Sequence, residues 1–233
     1  MGSFDFVTFF FFVAAVIIFI QLRSVLGKRT GHEAPPRDQM ARRDQAQAEG
    51  LDDPKVVTLP RRGRENAEPD MFVAVDAYAE PGSELNKSLR EVVSADSSFD
   101  AKEFVGGATM AYEMIVSAYA EGDRKTLKGL LSRDVYDGFV AAIDEREAKG
   151  ETVRSNFVGI EKSSIIQAEM KGTEANITLR IMSQLISATL DKDGEVIEGD
   201  LVEVTDVNDV WTFARDTRSR DPNWRLIATE ADQ

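Results

Sequence analysis

Cysteine is absent and histidine occurs once, at His32. The first absence excludes a disulfide framework, a thiolate metal site and a cysteine nucleophile. The second excludes multi-histidine metal centres and leaves little room for histidine acid–base chemistry. Positive charge is also scarce: 28 Lys and Arg stand against 41 Asp and Glu, for a net charge of −13. That balance argues against a sequence-independent nucleic-acid binder, which needs cations to displace counterions from phosphates. Phosphate-loop and dinucleotide glycine patterns are missing, because Gly106-Gly107 falls inside a helical stretch. Asp191-x-Asp193-Gly194 opens like a calcium loop, yet its sixth position is Val196 and its twelfth Val202, so the oxygen set is incomplete. No metal and no cofactor is expected, and most enzyme classes drop out.

The charge that is present is unevenly placed. Residues 1–22 carry −1, residues 23–64 carry +4 and the remainder carries −16. An apolar end is therefore followed by a weakly basic connector and a strongly acidic body.

Phe4 to Leu22 is nineteen residues whose only charge is Asp5. As a helix it is about 28 Å long, close to the roughly 30 Å of a bilayer's hydrocarbon layer. Phe4, Phe12 and Ile20 mark the expected span. No positive charge precedes it and Gln21-Leu22-Arg23 follows it, which fits a retained anchor better than a cleaved signal. Arg23, Lys28 and Arg29 form a basic membrane-surface flank, so the positive-inside rule places the rest of the chain in the cytoplasm.

The organisation expected is an anchor with its basic flank over 1–29, a disordered tether over 30–82, a short amphipathic helix over 83–97 and an α+β domain over 98–230. Pro35, Pro36, Pro54, Pro60 and Pro69 and the lack of apolar periodicity support the tether. Ser83 serves as N-cap to a stripe of Leu85, Leu89, Val92 and Val93, read chiefly as docking onto the body. Asp100 with Glu103 opens a long helix over 101–121 that Gly122 stops. It is apolar enough to require cover on more than one side. Asp123 caps a second short helix through Leu131. Ser132 or Asp134 opens a third, with Tyr136, Phe139, Val140 and Ile143 inward.

After Gly150 the period becomes two. Phe157–Ile160 and Ile165–Met170 read as two strands, and Lys171-Gly172 as a turn. Ala175, Ile177, Leu179 and Ile181 alternate with polar residues. The phase then flips to Met182, Ile186, Ala188 and Leu190, with Ser183 on the opposite side, as a β-bulge in this strand would produce. Strands around Trp211 and Phe213 and around Leu226 complete a bent antiparallel sheet with helices on its concave face. Phe104, Tyr112, Ile115, Tyr119, Phe139, Leu179, Trp211 and Phe213 would line an apolar pocket between long helix and sheet. A fully packed core is an equal alternative.

Four blocks carry a resemblance: LRSVLGKRTG after the span, SFDAKEFVGGATMAYEMIVSAYAEGDRKTLKGLLSRDVYDGF, QLISATLDKDGEVIEGD and VWTFARDTRSRDPNWRLIATE. Together they resemble the TimA and Tim44-like domain family, bacterial relatives of the membrane adaptor of the mitochondrial import motor. The resemblance implies a cone-shaped fold like nuclear transport factor two, with a large apolar pocket and a non-enzymatic role. That role is to hold soluble partners at the inner membrane, here the bacterial cytoplasmic membrane. In mitochondria the partners are the translocation channel and a seventy-kilodalton heat-shock chaperone, with a contact to anionic lipid. The acidity of the body repels an anionic leaflet, so the span is expected to anchor and the body to face protein. The other readings are a small-molecule or lipid-binding pocket, or an isomerase or dehydratase on the same cone. The last would use Asp206 or Asp209 with Tyr112, Tyr119 or Tyr136.

Overall fold

The computed structural model describes residues 71–231. The expected span, its basic flank and most of the tether lie outside these residues. Among the described residues no helix is long and apolar enough to cross a membrane.

Five helices precede five strands. The helices are α1 (Val73–Tyr78), α2 (Glu84–Ala95), α3 (Ala101–Glu121), α4 (Arg124–Leu130) and α5 (Arg133–Ala148). The strands are β1 (Thr152–Lys171), β2 (Glu174–Leu190), β3 (Val196–Gly199), β4 (Thr205–Asp216) and β5 (Arg225–Ala231). All pair antiparallel in the order β1-β2-β4-β5, with β3 added to the end of β2 beyond its pairing with β4. The α+β architecture is the one expected, with α2 and α3 lying against β1.

Short polar side chains start the helices. Ser83 accepts from the Asn86 amide, Asp100 from those of Lys102 and Glu103, Asp123 from those of Lys125 and Thr126, and Ser132 from that of Val135. Gly122 ends α3 at φ +73°, a conformation that costs glycine nothing. Leu89, Val92, Tyr112, Ile115, Leu127 and Ile143 are fully buried, and on the sheet side so are Ile177, Leu179, Ile181, Phe213 and Leu226.

Three expectations are corrected. The tether does not run to residue 82, because Val73–Tyr78 is helical and docked. Val75 is buried, Asp76 pairs with Arg90, and Asn86 Nδ2 donates to Asp76 and to the Ala79 carbonyl. Six residues are too few to display a helical period, and the contacts that hold them come from α2, α3 and β1.

Second, residues 157–160 and 165–170 belong to one twenty-residue strand. Its register against β2 slips at Val158, Glu161 and Ile166, each an extra residue on β1. Each slip resets the alternation of side chains, so a single strand reads as two fragments. At the third slip the Ile165 amide donates to the Tyr78 hydroxyl at 2.8 Å, which ties α1 to the sheet.

Third, β2 itself runs without a slip against β4 from Glu174 to Leu185. Its inward set continues through Ser183, which is buried rather than turned outward. The long helix α3 has the expected cover on more than one side, from β1 and from α1 and α4, while Met110 and Met114 are 65% and 49% exposed. The short strand β3 is an addition to the elements expected.

Candidate functional site

Two features stand out, one open and one sealed. The open one is a groove of about 470 Å³ between α3 and the ends of β4 and β5. Helical geometry places Glu103, Gly107, Met110 and Met114 along one stripe of α3, and all four line the groove. Its floor is aromatic. Phe104 and Trp224 meet edge-on at 4.7 Å, Phe99 lies 6.0 Å from Trp224, and Phe213 lies 6.3 Å from Phe104. Apart from the adjoining backbone of α3, no heavy atom lies within 4 Å of where a Cβ on Gly107 would stand, so the helix backbone itself is open to an occupant there.

Arg215 closes one end. Its guanidinium lies 5.2 Å from the Trp224 ring centre and pairs with Asp96. On its other side Arg215 lines a second, smaller groove of about 260 Å³ with Ser132, Glu174, Asp216 and Arg225.

The sealed feature is a chain of three side chains. Tyr112 from α3 donates its hydroxyl to Asp209 Oδ2 at 2.7 Å, and Ser183 Oγ lies 2.8 Å from the same phenol oxygen. With Tyr112 donating to Asp209, the Ser183 hydroxyl donates to Tyr112. Tyr112, Ser183 and Asp209 are 0%, 2% and 5% exposed. Burial pushes the Asp209 carboxyl up to about 6 against the opposing pull of the Tyr112 hydrogen bond. Burial and the neighbouring carboxylate push the Tyr112 phenol far above its usual value. The Trp211 ring stands 4.5 Å from that of Tyr112, and its buried indole N–H has no partner among the described residues.

The residues expected to share one apolar pocket fall into three groups. Phe104 and Phe213 line the groove. Tyr112, Ile115, Leu179 and Trp211 sit fully buried between α3 and the sheet. Tyr119 and Phe139 stack edge-on at 5.1 Å across α3 and α5. Of the carboxylates weighed for catalysis, Asp206 is exposed and accepts from Gln184 at 2.9 Å, while Asp209 points inward. Neither Asp209 nor Tyr112 lines either groove. Sequence reading missed Phe99, Met110, Met114 and Trp224 as site residues. The available signal was the 103–107–110–114 spacing, which sets Gly107 and two methionines on a face other than the Phe104, Ala108, Ile115 stripe.

Arg124 donates to Asp144 at 2.6 Å and to Glu147 at 2.8 Å on α5.

A domain of this kind is a helical layer on a single antiparallel sheet, with an aromatic groove beside its longest helix. Residues 85–231 match the Tim44-like domain, and the chain belongs to that family. It is 26% identical over 126 residues to the mitochondrial import inner membrane translocase subunit TIM44-1 of Arabidopsis thaliana, covering 54% of this chain and 27% of that one. It is 24% identical over 152 residues to the TIM44 subunit of Rattus norvegicus, covering 64% and 34%. The chain thus spans about a third of the length of the curated relatives it matches. Among solved structures, the intermembrane space region of the chloroplast protein ARC6 overlaps with a TM-score of 0.39 at 10% identity, over 57% of this chain and 96% of that one.

Proposed function

We propose that the protein is a non-enzymatic adaptor. Phe4–Leu22 holds it in a bacterial inner membrane as a single pass, and the cone-shaped cytoplasmic body presents the groove to a soluble protein partner. Protein translocation or membrane-protein assembly is the setting in which such a partner would act. The observation that carries this reading is the pair Met110 and Met114, exposed one helical turn apart above an aromatic floor. Flexible, polarizable thioethers over aromatic rings adapt to a partner's side chains at small cost, as protein-binding surfaces require. Kinship with translocase subunits supports the same reading.

The test is site-specific photo-crosslinking in intact membranes, with the reactive residue at Met110 and, as a control, at exposed Lys162 on β1. One discrete adduct from position 110 and none from 162 is expected. Equal, diffuse labelling at both sites overturns the groove as the contact. Deleting residues 4–22 should release the chain into the soluble fraction.

A second reading rests on the size of the groove, which lies in the range of small-ligand sites. Mass spectrometry of the protein released gently from membranes would detect a copurifying lipid or small molecule. The isomerase or dehydratase reading has its acid and phenol in Asp209 and Tyr112. Both are sealed from the grooves, so substrate would have to open the core to reach them, and we set this reading third.

A further inference from the structure

Five of the eleven exposed large apolar side chains of the described residues fall within nine positions: Val196, Ile197, Leu201, Val202 and Val204. They belong to β3 and the loop that follows it. β3 pairs on one side with β2, through Ala188↔Gly199, Thr189↔Glu198 and Leu190↔Val196. Among the described residues no strand pairs with its other side. Pairing of β4 with β5 begins only at Asp209, so the outer edge of 205–208 continues that open line.

The strip is held in place. Gly199, at φ +75°, sits so close to β2 that a Cβ would stand 2.2 Å from the Ser187 carbonyl oxygen. The Asp200 amide donates to that oxygen, and the Asp200 carboxylate accepts from the amides of Val202 and Glu203. Those two hydrogen bonds hold the Asp200 carboxyl below the usual range.

The charge on the strip has one sign. Residues 191–206 contain seven carboxylates, including Glu195, Glu198, Asp200 and Glu203, and one cation, Lys192. Two copies meeting edge to edge would bring these carboxylates face to face, which excludes a second copy of this chain as the natural occupant. A partner strand with cations between its apolar residues matches both the charge and the exposed side chains.

We propose that the outer edge of β3 and the 200–204 loop bind an extended segment of a partner protein in which Lys or Arg alternates with apolar residues. The segment adds as a strand, with main-chain hydrogen bonds to β3 for affinity and the flanking carboxylates for selection. This surface is separate from the groove beside α3, and the inference stands whether or not that groove takes a partner.

The experiment uses the full chain in detergent and a fluorescently labelled synthetic peptide of alternating lysine and valine, followed by anisotropy. Saturable binding is expected, and it weakens as sodium chloride rises from about 50 to about 300 mM. The same peptide with alternate amides N-methylated keeps its side chains but loses its strand edge, and should bind about tenfold or more weakly. The variant Glu195→Gln with Glu203→Gln changes only exposed side chains and should weaken binding to a similar degree. Gly199→Ala should do the same by displacing β3, with thermal unfolding as the check that the body remains folded. Equal binding of the N-methylated peptide, unchanged affinity in the double Gln variant, or no binding at low salt each overturns the proposal. So does a concentration-dependent dimer in sedimentation that the peptide cannot dissociate.

Discussion

Tyr112 donates a hydrogen bond of 2.7 Å from its hydroxyl to Asp209, a carboxylate 97 positions away. The bond joins α3 to β4 through the middle of the domain and fixes which face of the long helix meets the sheet. A buried carboxylate with one neutral donor is poorly compensated, and its upward shift expresses that cost. Protonation relieves the cost, so this group favours the folded state at low pH. That advantage is complete below about 4 and is lost as pH climbs through about 6, where the ordinary carboxyl value is 3.8.

Asp209→Asn keeps an acceptor for Tyr112 and removes the titration. The variant should gain on the parent protein as pH rises from about 4 to above 6, by up to roughly 3 kcal/mol at neutral pH. Thermal unfolding across that interval measures the difference, and a constant offset would show that Asp209 does not titrate in the fold. Tyr112→Phe moves the other way, costing about 1–3 kcal/mol near neutrality and less in acid.

The helix α2 is part of the folded body rather than an appendage to it. Leu89 and Val92 are fully buried, and Asn86 is tied to α1 through two hydrogen bonds. Leu89→Ala should cost about 2–5 kcal/mol, as for other buried leucines. A fragment beginning at residue 98 should unfold at lower denaturant than one beginning at residue 71, and urea titration of the pair decides the matter.

Gly122→Ala forces an alanine into a left-handed backbone at the end of α3, with Ile143 and Glu147 3.5 Å from the new methyl. A loss of about 1 kcal/mol is expected. Chemical denaturation should show it as a lower midpoint with an unchanged slope.

Met114→Glu adds a charge to the rim of the aromatic groove at a half-exposed site. Thermal stability should hold within about 0.5 kcal/mol, as for exposed positions generally. Capture of the partner by the crosslinker at Met110 should fall sharply. Undiminished capture would place the contact elsewhere on the surface.

The caps of α2 to α5 were legible because each depends on a residue adjacent to the helix it opens. Ser83, Asp100, Asp123 and Ser132 announce themselves locally. The inward place of Ser183 could not be read that way. A polar residue belongs in the core only if something there receives it, and its receiver, Tyr112, is 71 positions earlier. The phase change expected at Met182 comes later in the strand, because that hydrogen bond keeps Ser183 inward before Ala188 and Leu190 take over the buried set. β3 was missed for a related reason: it is four residues long and exposed, so no alternation marks it. The groove was half visible. Phe104 and Phe213 carried a signal through periodicity, as did Trp224 by alternating with Leu226 and Ala228, whereas Phe99 lies just outside α3, where periodicity stops.

The three supernumerary residues of β1 have a consequence for how this strand can vary. None of them has a partner on β2, so removing Val158 alone would leave Phe157 opposite Leu185 and Gly159 opposite Gln184, with both faces keeping their residues. Removing a paired residue such as Ser155 instead turns the residues before it to the other face, or makes that end of the strand slide along β2. β1 can therefore lose Val158, Glu161 or Ile166 and merely straighten, whereas a single deletion at a paired position such as Ser155 should behave as a loss of fold.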